Sequence, residues 1–384
     1  MDLPFALPMR LSARAANLHA SPIREILAVL ERPGMISFAG GLPAAETFPT
    51  LGLESMPRAW MQYGPSEGDW ALRVQIAGEL AAAGLACAPE QVLVLSGSQQ
   101  GIDLVAKLFI DEGTPVALES PTYLAALQVF RFFGARFQAL RQPYAADWSA
   151  ADLPALVYTI PTFQNPTGRC LGGAERAELA QACDQWNIPL FEDDPYRELA
   201  YDECEREPIC ARLRQAPWVY QGSFSKSLAP GLRLGYLAAS AELVPLLTRL
   251  KQAADLHSSR ISQWLVLEQL RDPARLQRRE RLVATYRAKR DHFAACMERH
   301  LRGIARWDTP PGGLFFWLAL ARPVDTRRLL TESLEKGVAF MPGEPFFPDA
   351  PQCCGALRLN FSHADEAQAE RGLAILAGLL EPFA

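Results

Sequence analysis

Between residues 92 and 240 the chain alternates short β-rich runs with segments of helical pattern, and this alternation restricts the fold more than any other feature. The runs are Val92 to Leu95, Val116 to Glu119, Arg136 to Leu140, Leu156 to Ile160, Pro189 to Glu192, Trp218 to Gln221 and Leu234 to Ala238. Parallel neighbours in a sheet need a crossover of a dozen or more residues, usually a helix, and most of the gaps are long enough. The pattern therefore predicts an α/β fold with one seven-stranded, mainly parallel sheet and helices on both faces. The gap between Gln221 and Leu234 differs, because its twelve residues include Pro230 and Gly231. A helical return is cramped there, so the last strand is expected to run antiparallel.

Residues from about 241 to 302 read as helices, ending in a stretch where Leu282, Val283, Tyr286 and Phe293 recur near helical period and the arginines Arg278, Arg279, Arg281, Arg287 and Arg290 form a solvated face. After His300 short strands and turns return, Gly312 to Leu318 and Leu357 to Phe361, which predicts a smaller α+β domain. The N-terminal segment carries one helical pattern, Ile23 to Leu30, and no sheet of its own. The resulting division is an N-terminal arm (1–35) packed on the domains, a large domain (36–285) and a small C-terminal domain (286–384).

Composition excludes several classes of function. With 49% hydrophobic and 21% charged residues and a net charge of -5, the chain has neither a basic field for nucleic acid nor the polar excess of a disordered protein. Its eight cysteines lack paired zinc-knuckle spacing, so no metal site is expected. No apolar run reaches the length of a membrane span. No signal-peptide pattern opens the sequence, and a reducing cytoplasm is the expected setting.

Four motifs fall at successive strand ends, where open α/β sheets bind ligands. Ser96-Gly97-Ser98-Gln99-Gln100-Gly101 starts a helix and leaves backbone N–H groups free for an anion, or is a capped helix start and nothing more. Asn165-Pro166-Thr167-Gly168 offers a side-chain amide, or is simply a turn. Glu192-Asp193-Asp194-Pro195-Tyr196 places a carboxylate where it could pair with a protonated ring nitrogen and a phenol three residues on, or serves as a helix cap. Gly222 to Tyr236 surrounds Lys226 with Ser223, Ser225 and Arg233, a cluster fit to hold a phosphorylated aldehyde through a Schiff base. An isolated lysine in a serine-rich turn is usually only solvated.

Taken in order along the chain, these motifs resemble those of the fold type I pyridoxal-phosphate aminotransferases, and most of all the kynurenine and 2-aminoadipate aminotransferase branch. The resemblance extends through Gly40-Gly41-Leu42-Pro43, Tyr63-Gly64, Glu67-Gly68, Leu72-Arg73, Ser98-Gln99, Tyr123, Asn165 to Gly168, Asp193 to Tyr196, Ser223 to Arg233, Gly312-Gly313 and Arg358-Leu359-Asn360. It implies that Lys226 holds pyridoxal 5'-phosphate covalently and later moves the proton. Asp193, rather than Asp194, would keep the pyridine nitrogen protonated, and Tyr196 and Asn165 would bond the ring oxygen. Ser98, Gln99, Ser223, Ser225 and Arg233 would hold the phosphate, Tyr123 would cover the ring, and Arg358, with Asn165 and Gly41, would take the substrate carboxylate. Tyr63 would reach the phosphate of a neighbouring subunit, which implies a homodimer with shared sites.

The function so implied is transfer of the amino group of an L-amino acid to a 2-oxo acid, 2-oxoglutarate by expectation. The same resemblance extends to the cofactor-binding module of a class of bacterial regulators, but the N-terminal ninety or so residues contain the Gly40 to Pro43 loop and the Tyr63 segment, not a basic helix-turn-helix. A lyase or decarboxylase on the same scaffold is a third reading, since fold and cofactor do not choose which bond breaks. For the donor, Arg24 is a candidate contact to a distal carboxylate such as that of 2-aminoadipate. Leu11, Leu18 and Phe38 are the alternative, an apolar pocket for aromatic or branched chains.

Overall fold

The computed structural model describes residues 11–18, 34–146 and 148–384. Its centre is a seven-stranded sheet in the order β2-β8-β7-β6-β5-β3-β4. After β1 (Ile36–Ser37), the sheet strands are β2 (Val92–Leu95), β3 (Pro115–Leu118), β4 (Arg136–Ala139), β5 (Leu156–Thr159), β6 (Leu190–Asp193), β7 (Trp218–Ser223) and β8 (Gly235–Ala239). Each lies within two residues of its predicted run. Strand β8 is antiparallel to both β2 and β7, and the other pairings are parallel, as the short Gln221 to Leu234 gap requires.

The central strands are buried along their whole length because helices cover both faces. Alternation along each strand sorts the side chains. Val92, Val94, Ala117, Val157, Leu190 and Tyr220 join one core with helices α1 (Trp70–Ala82), α4 (Gly173–Trp186) and α6 (Arg260–Arg271). Leu93, Leu95, Val116, Leu118, Tyr158, Phe191 and Val219 join the other, with α2 (Ser98–Phe109), α3 (Leu124–Phe132) and α5 (Val244–Asp255). Each Val, Leu or Ile side chain so buried contributes roughly 1.5–3 kcal/mol, and the consequence for function is that strand ends, not strand interiors, are left for chemistry.

Helix α7 (Arg275–Leu301) passes from this unit into a four-stranded antiparallel sheet in the order β12-β13-β10-β9. Its strands are β9 (Ala305–Arg306), β10 (Phe315–Leu320), β12 (Met341–Pro342) and β13 (Ala356–Asn360). Helices α8 (Thr326–Glu335) and α9 (Glu366–Leu380) pack on it, and Leu282, Tyr286, Phe293, Phe316, Leu359 and Leu373 share its core. Strand β1 pairs in parallel with β11 (Val338–Ala339), so residues 36 and 37 are tied to the C-terminal part of the chain. Phe38 follows them into that core, edge-on to Phe293 at 5.1 Å and 0% exposed. It is therefore a core residue and does not wall a substrate pocket, contrary to the sequence expectation. Leu11 and Leu18 are exposed, and the helical pattern Ile23 to Leu30, with Arg24, lies outside the described residues.

Candidate active site

A cavity of about 350 Å³ opens at the carboxyl ends of β5, β6 and β7, between the large sheet and β10 and β13. Its walls include Gly41, Ser98, Gln99, Tyr123, Asn165, Asp193, Tyr196, Ser223, Ser225, Lys226, Arg233 and Arg358. Thus every described candidate for binding the cofactor or the substrate carboxylate, except Tyr63, converges on one space. Tyr63 is 78% exposed, lies edge-on to His257 at 5.7 Å and does not line this cavity.

Strand alternation explains which of the two adjacent aspartates serves the site. Asp193 ends β6 on the α2–α3 face, where its Oδ2 accepts from Tyr158 Oη at 2.9 Å and its Oδ1 from Gln221 Nε2 at 2.8 Å. Gln221 is its register partner on β7. Asp194 turns to the opposite face, accepting from Tyr220 Oη at 3.0 Å and Arg197 Nη1 at 3.4 Å. Burial raises the Asp193 carboxyl to about 6, partly offset by its two hydrogen bonds. A cation brought to it would restore the charged form.

Lys226 stands in the loop after β7, and its Nζ donates to the Gly41 carbonyl at 2.6 Å. Burial, reinforced by the charges of Arg358 and Arg233, lowers the amine to about 8. Such an amine is far closer to a nucleophile than a solvated lysine. Arg233 reaches the start of α2 because Gly97, at φ +83°, has no side chain: a Cβ there would lie 2.5 Å from Arg233 Nη2. A guanidinium, the first turn of a helix and the Ser98, Ser223 and Ser225 side chains therefore meet at one end, a site for a phosphate.

Arg358, on β13, closes the other end. It is 4% exposed, its Nη1 donates to Asn165 Oδ1 at 2.8 Å and its Nη2 to the Ala39 carbonyl at 2.7 Å, while Nε has no partner among the described residues. The guanidinium lies 4.1 Å over the Phe315 ring and 5.1 Å from that of Phe346. Burial draws it down to about 10. Asn165 Nδ2 approaches Tyr196 Oη at 3.4 Å, and Tyr196 packs edge-on against Phe315 at 5.7 Å. Tyr123, raised to about 12 by burial, completes the wall beside Asp193.

Among the described residues, the charged groups lining the cavity are three cations, Lys226, Arg233 and Arg358, and one carboxylate, Asp193. Among the described residues none of the three cations has a carboxylate within ion-pair distance. Unneutralised charge is costly at the buried Arg358 and the half-buried Lys226, and the exposed Arg233 is open to a ligand at the other end, so the cavity fits a ligand with two anionic groups and one protonated nitrogen. Pyridoxal phosphate joined to an amino acid has that charge pattern.

Sequence reading missed Tyr158, Gln221, Phe315 and the Ala39 carbonyl. The first two carried a signal: a hydrogen-bonding side chain in a run buried on both faces must have a buried partner.

Comparison with known proteins agrees with this geometry. The model of the family "Aminotransferase class I and II" matches residues 42–376. The chain is 37% identical to a 2-aminoadipate transaminase of Thermus thermophilus, covering 96% of this chain and 95% of the relative. It is 33% identical to an aromatic-amino-acid aminotransferase of Thermococcus litoralis, covering 95% and 93%. Among solved structures, an α-aminoadipate aminotransferase of Thermus thermophilus, complexed with N-(5'-phosphopyridoxyl)-L-leucine, superposes with a TM-score of 0.87 at 35% identity over 97% of each chain. The chain belongs to the class I and II aminotransferases and is a pyridoxal-phosphate-dependent aminotransferase of fold type I.

Proposed function

We propose that this enzyme takes the amino group from a broad set of L-amino acids, acidic of the 2-aminoadipate type, aromatic and branched, and passes it to 2-oxoglutarate in a ping-pong cycle. The observation that carries the assignment of roles is the cavity's charge set, among the described residues three cations without carboxylate partners facing one hydrogen-bonded aspartate. When bound, pyridoxal phosphate supplies an electron-withdrawing ring that accepts the electron pair of the substrate's Cα–H bond. Lys226 would hold that group covalently, and its free Nζ would carry the proton between Cα and the cofactor. Asp193 would hold a proton on the ring nitrogen. Tyr196 and Asn165 would orient the ring oxygen, with Tyr123 on its face. Ser98, Gln99, Ser223, Ser225 and Arg233 would hold the phosphate. Arg358 would fork onto the α-carboxylate, a task suited to its planar head, with Asn165 and the Gly41 backbone beside it.

The donor range rests on the relatives, which are named for 2-aminoadipate and for aromatic amino acids. The proposal extends to a cytoplasmic homodimer in which Tyr63, exposed in the single chain, meets the partner's phosphate group. Among the described residues no helix is long and apolar enough to cross a membrane.

The test is a visible spectrum of the purified holoenzyme titrated with a panel of amino acids. Bleaching of the cofactor band by an amino acid and its return with 2-oxoglutarate is the expected result. A band that persists, or release of ammonia or carbon dioxide in place of a 2-oxo acid, would contradict it. Arg24→Ala then addresses the donor: a relative kcat/KM for acidic and aromatic substrates left unchanged by the substitution would remove Arg24 from the pocket.

A further inference from the structure

We infer that Cys170 and Cys204 form a reversible dithiol site, oxidised to a disulfide by a peroxide, at the base of the loop that carries Asn165. That loop is closed by backbone hydrogen bonds from Gln164 N to Arg169 O and from Leu171 N to Pro161 O, both 2.8 Å, so Cys170 lies in its returning arm. Cys170 Sγ is 3.1 Å from the carbonyl oxygen of Glu205, the residue after Cys204. Cys204 is therefore the chain neighbour of a residue in direct contact with the Cys170 sulfur, and both cysteines line the same cleft. Both are half-buried and line one open cleft of about 860 Å³ beside Trp307 and Pro310, which gives a small oxidant access.

A single side chain holds the two segments together. Arg176, fully buried, donates from Nη2 to the Pro161 carbonyl at 2.9 Å and to the Glu205 carbonyl at 3.1 Å, and the same nitrogen lies 3.8 Å from Cys170 Sγ. The sulfurs are thus kept in place by a guanidinium that also favours a thiolate. The Cys204 thiol, together with Arg176, outweighs burial and holds Cys170 below the ordinary thiol range, the same interaction pushing Cys204 above it, whereas burial pushes Cys87 to about 11 and Cys354 to about 12. Thiolate character and access select the cysteine that oxidises first.

The chemistry balances with a peroxide as the sole co-reactant. Cys170 sulfur attacks one oxygen of hydrogen peroxide. The S–O bond forms, the O–O bond breaks, and the departing oxygen takes a proton and leaves as water. Cys204 sulfur then attacks the Cys170 sulfenic acid. The S–S bond forms, the S–O bond breaks, and the hydroxyl leaves as a second water with the Cys204 proton. Two thiols lose two electrons, the peroxide gains two, and a dithiol reductant reverses the change.

The test uses the holoenzyme under native conditions. It is treated with hydrogen peroxide, its remaining thiols are alkylated, and it is mapped without reduction. A Cys170–Cys204 linked peptide that disappears with dithiothreitol is expected, and because this map uses the unaltered chain it does not depend on a variant folding. In Cys204→Ser the resolving thiol is gone, so a dimedone adduct should accumulate at Cys170. In Cys170→Ser no adduct should form at Cys204. A map in which both residues carry the alkyl label after peroxide, or a folded Cys204→Ser protein with no adduct at Cys170, overturns the inference.

Discussion

The seven-stranded sheet and the four-stranded C-terminal sheet each present a charged group to the same cavity, and they hold it in different ways. Asp193, on the large sheet, has one hydrogen-bond donor for each oxygen, Tyr158 from β5 and Gln221 from β7. Arg358, on the small sheet, is held by a backbone carbonyl and an amide oxygen from other parts of the chain, stacks on Phe315, and keeps an unpartnered Nε. The first group is satisfied before any ligand arrives, which fixes its orientation. The second carries uncompensated charge, and so is built to gain energy from a ligand's carboxylate. On the proposed roles, the large sheet would prepare the reaction and the small sheet would prepare binding.

The severest way to break this division is Lys226→Ala, which removes the only amine lining the cavity among the described residues. Turnover should fall by about 10⁴-fold or more, the upper end of what one positioned proton-transfer group contributes. Single-turnover conversion of amino acid to 2-oxo acid measures it, and a near-normal rate would return the chemistry to some other group. Asp193→Asn should lower kcat by about 10²–10³-fold, the loss expected of one preorganised electrostatic partner, with little change in KM.

Arg358→Lys tests the other sheet. A lysine keeps the charge but cannot fork onto a carboxylate, so a charge-assisted contact of about 1.5–3 kcal/mol is weakened. The expected result is a rise in KM and a fall in kcat/KM of roughly 10–100-fold, with kcat nearly kept. If this variant lost kcat while KM stayed, the separation of binding from reaction between the two sheets would be wrong.

The half of the site on the large sheet was the more legible in sequence, for a physical reason. Strands buried on both faces read as continuous apolar runs, so Val92 to Leu95 and its successors located the strand ends and the motifs that follow them. The choice of Asp193 over Asp194 rested on spacing to Tyr196, and the observed alternation along β6 agrees with it. Partners across strands were not legible: Tyr158 and Gln221 meet Asp193 only through the register of β5, β6 and β7. Arg358 could be given a role by resemblance, but its contacts with Ala39 and Asn165 span separations of 319 and 193 residues. Phe38 was misread because apolar character alone does not distinguish a pocket wall from a core. The strand just before it, Ile36–Ser37, pairs with the distant Val338–Ala339, and Phe38 N donates to the Ala339 carbonyl.

A prepared reaction centre should carry a stability cost when the cofactor is absent. The Lys226 amine is lowered to about 8 in the folded chain, below its ordinary value, so between that pH and the unfolded value the unfolded chain binds more protons and stability rises with pH. Below pH 8 the full penalty applies. In cofactor-free protein Lys226→Met should therefore be more stable at pH 7, by about 2 kcal/mol after allowing for partial solvent access. The difference should shrink as pH rises toward the ordinary lysine range. Urea unfolding at several pH values measures it, and a gap independent of pH would assign the gain to packing alone.

The smallest effect probes whether the hydrogen bonds on Asp193 do what the comparison claims. Tyr158→Phe removes one donor from a buried carboxylate, and because that donor favours the charged form, its loss should raise the Asp193 carboxyl further above 6. The acidic limb of kcat should move to higher pH, while the rate at the optimum falls only a few-fold, in keeping with about 1 kcal/mol for one hydrogen bond. Tyr220→Phe is the matched control, since Tyr220 donates to Asp194 on the opposite face of the same strand end. It removes an equivalent phenol from an equivalent carboxylate without touching the cavity wall, so its pH profile should stay where it is. Equal shifts in both variants would mean that the sheet responds as a whole, and that orientation of Asp193 by its own two donors is not what the large sheet contributes.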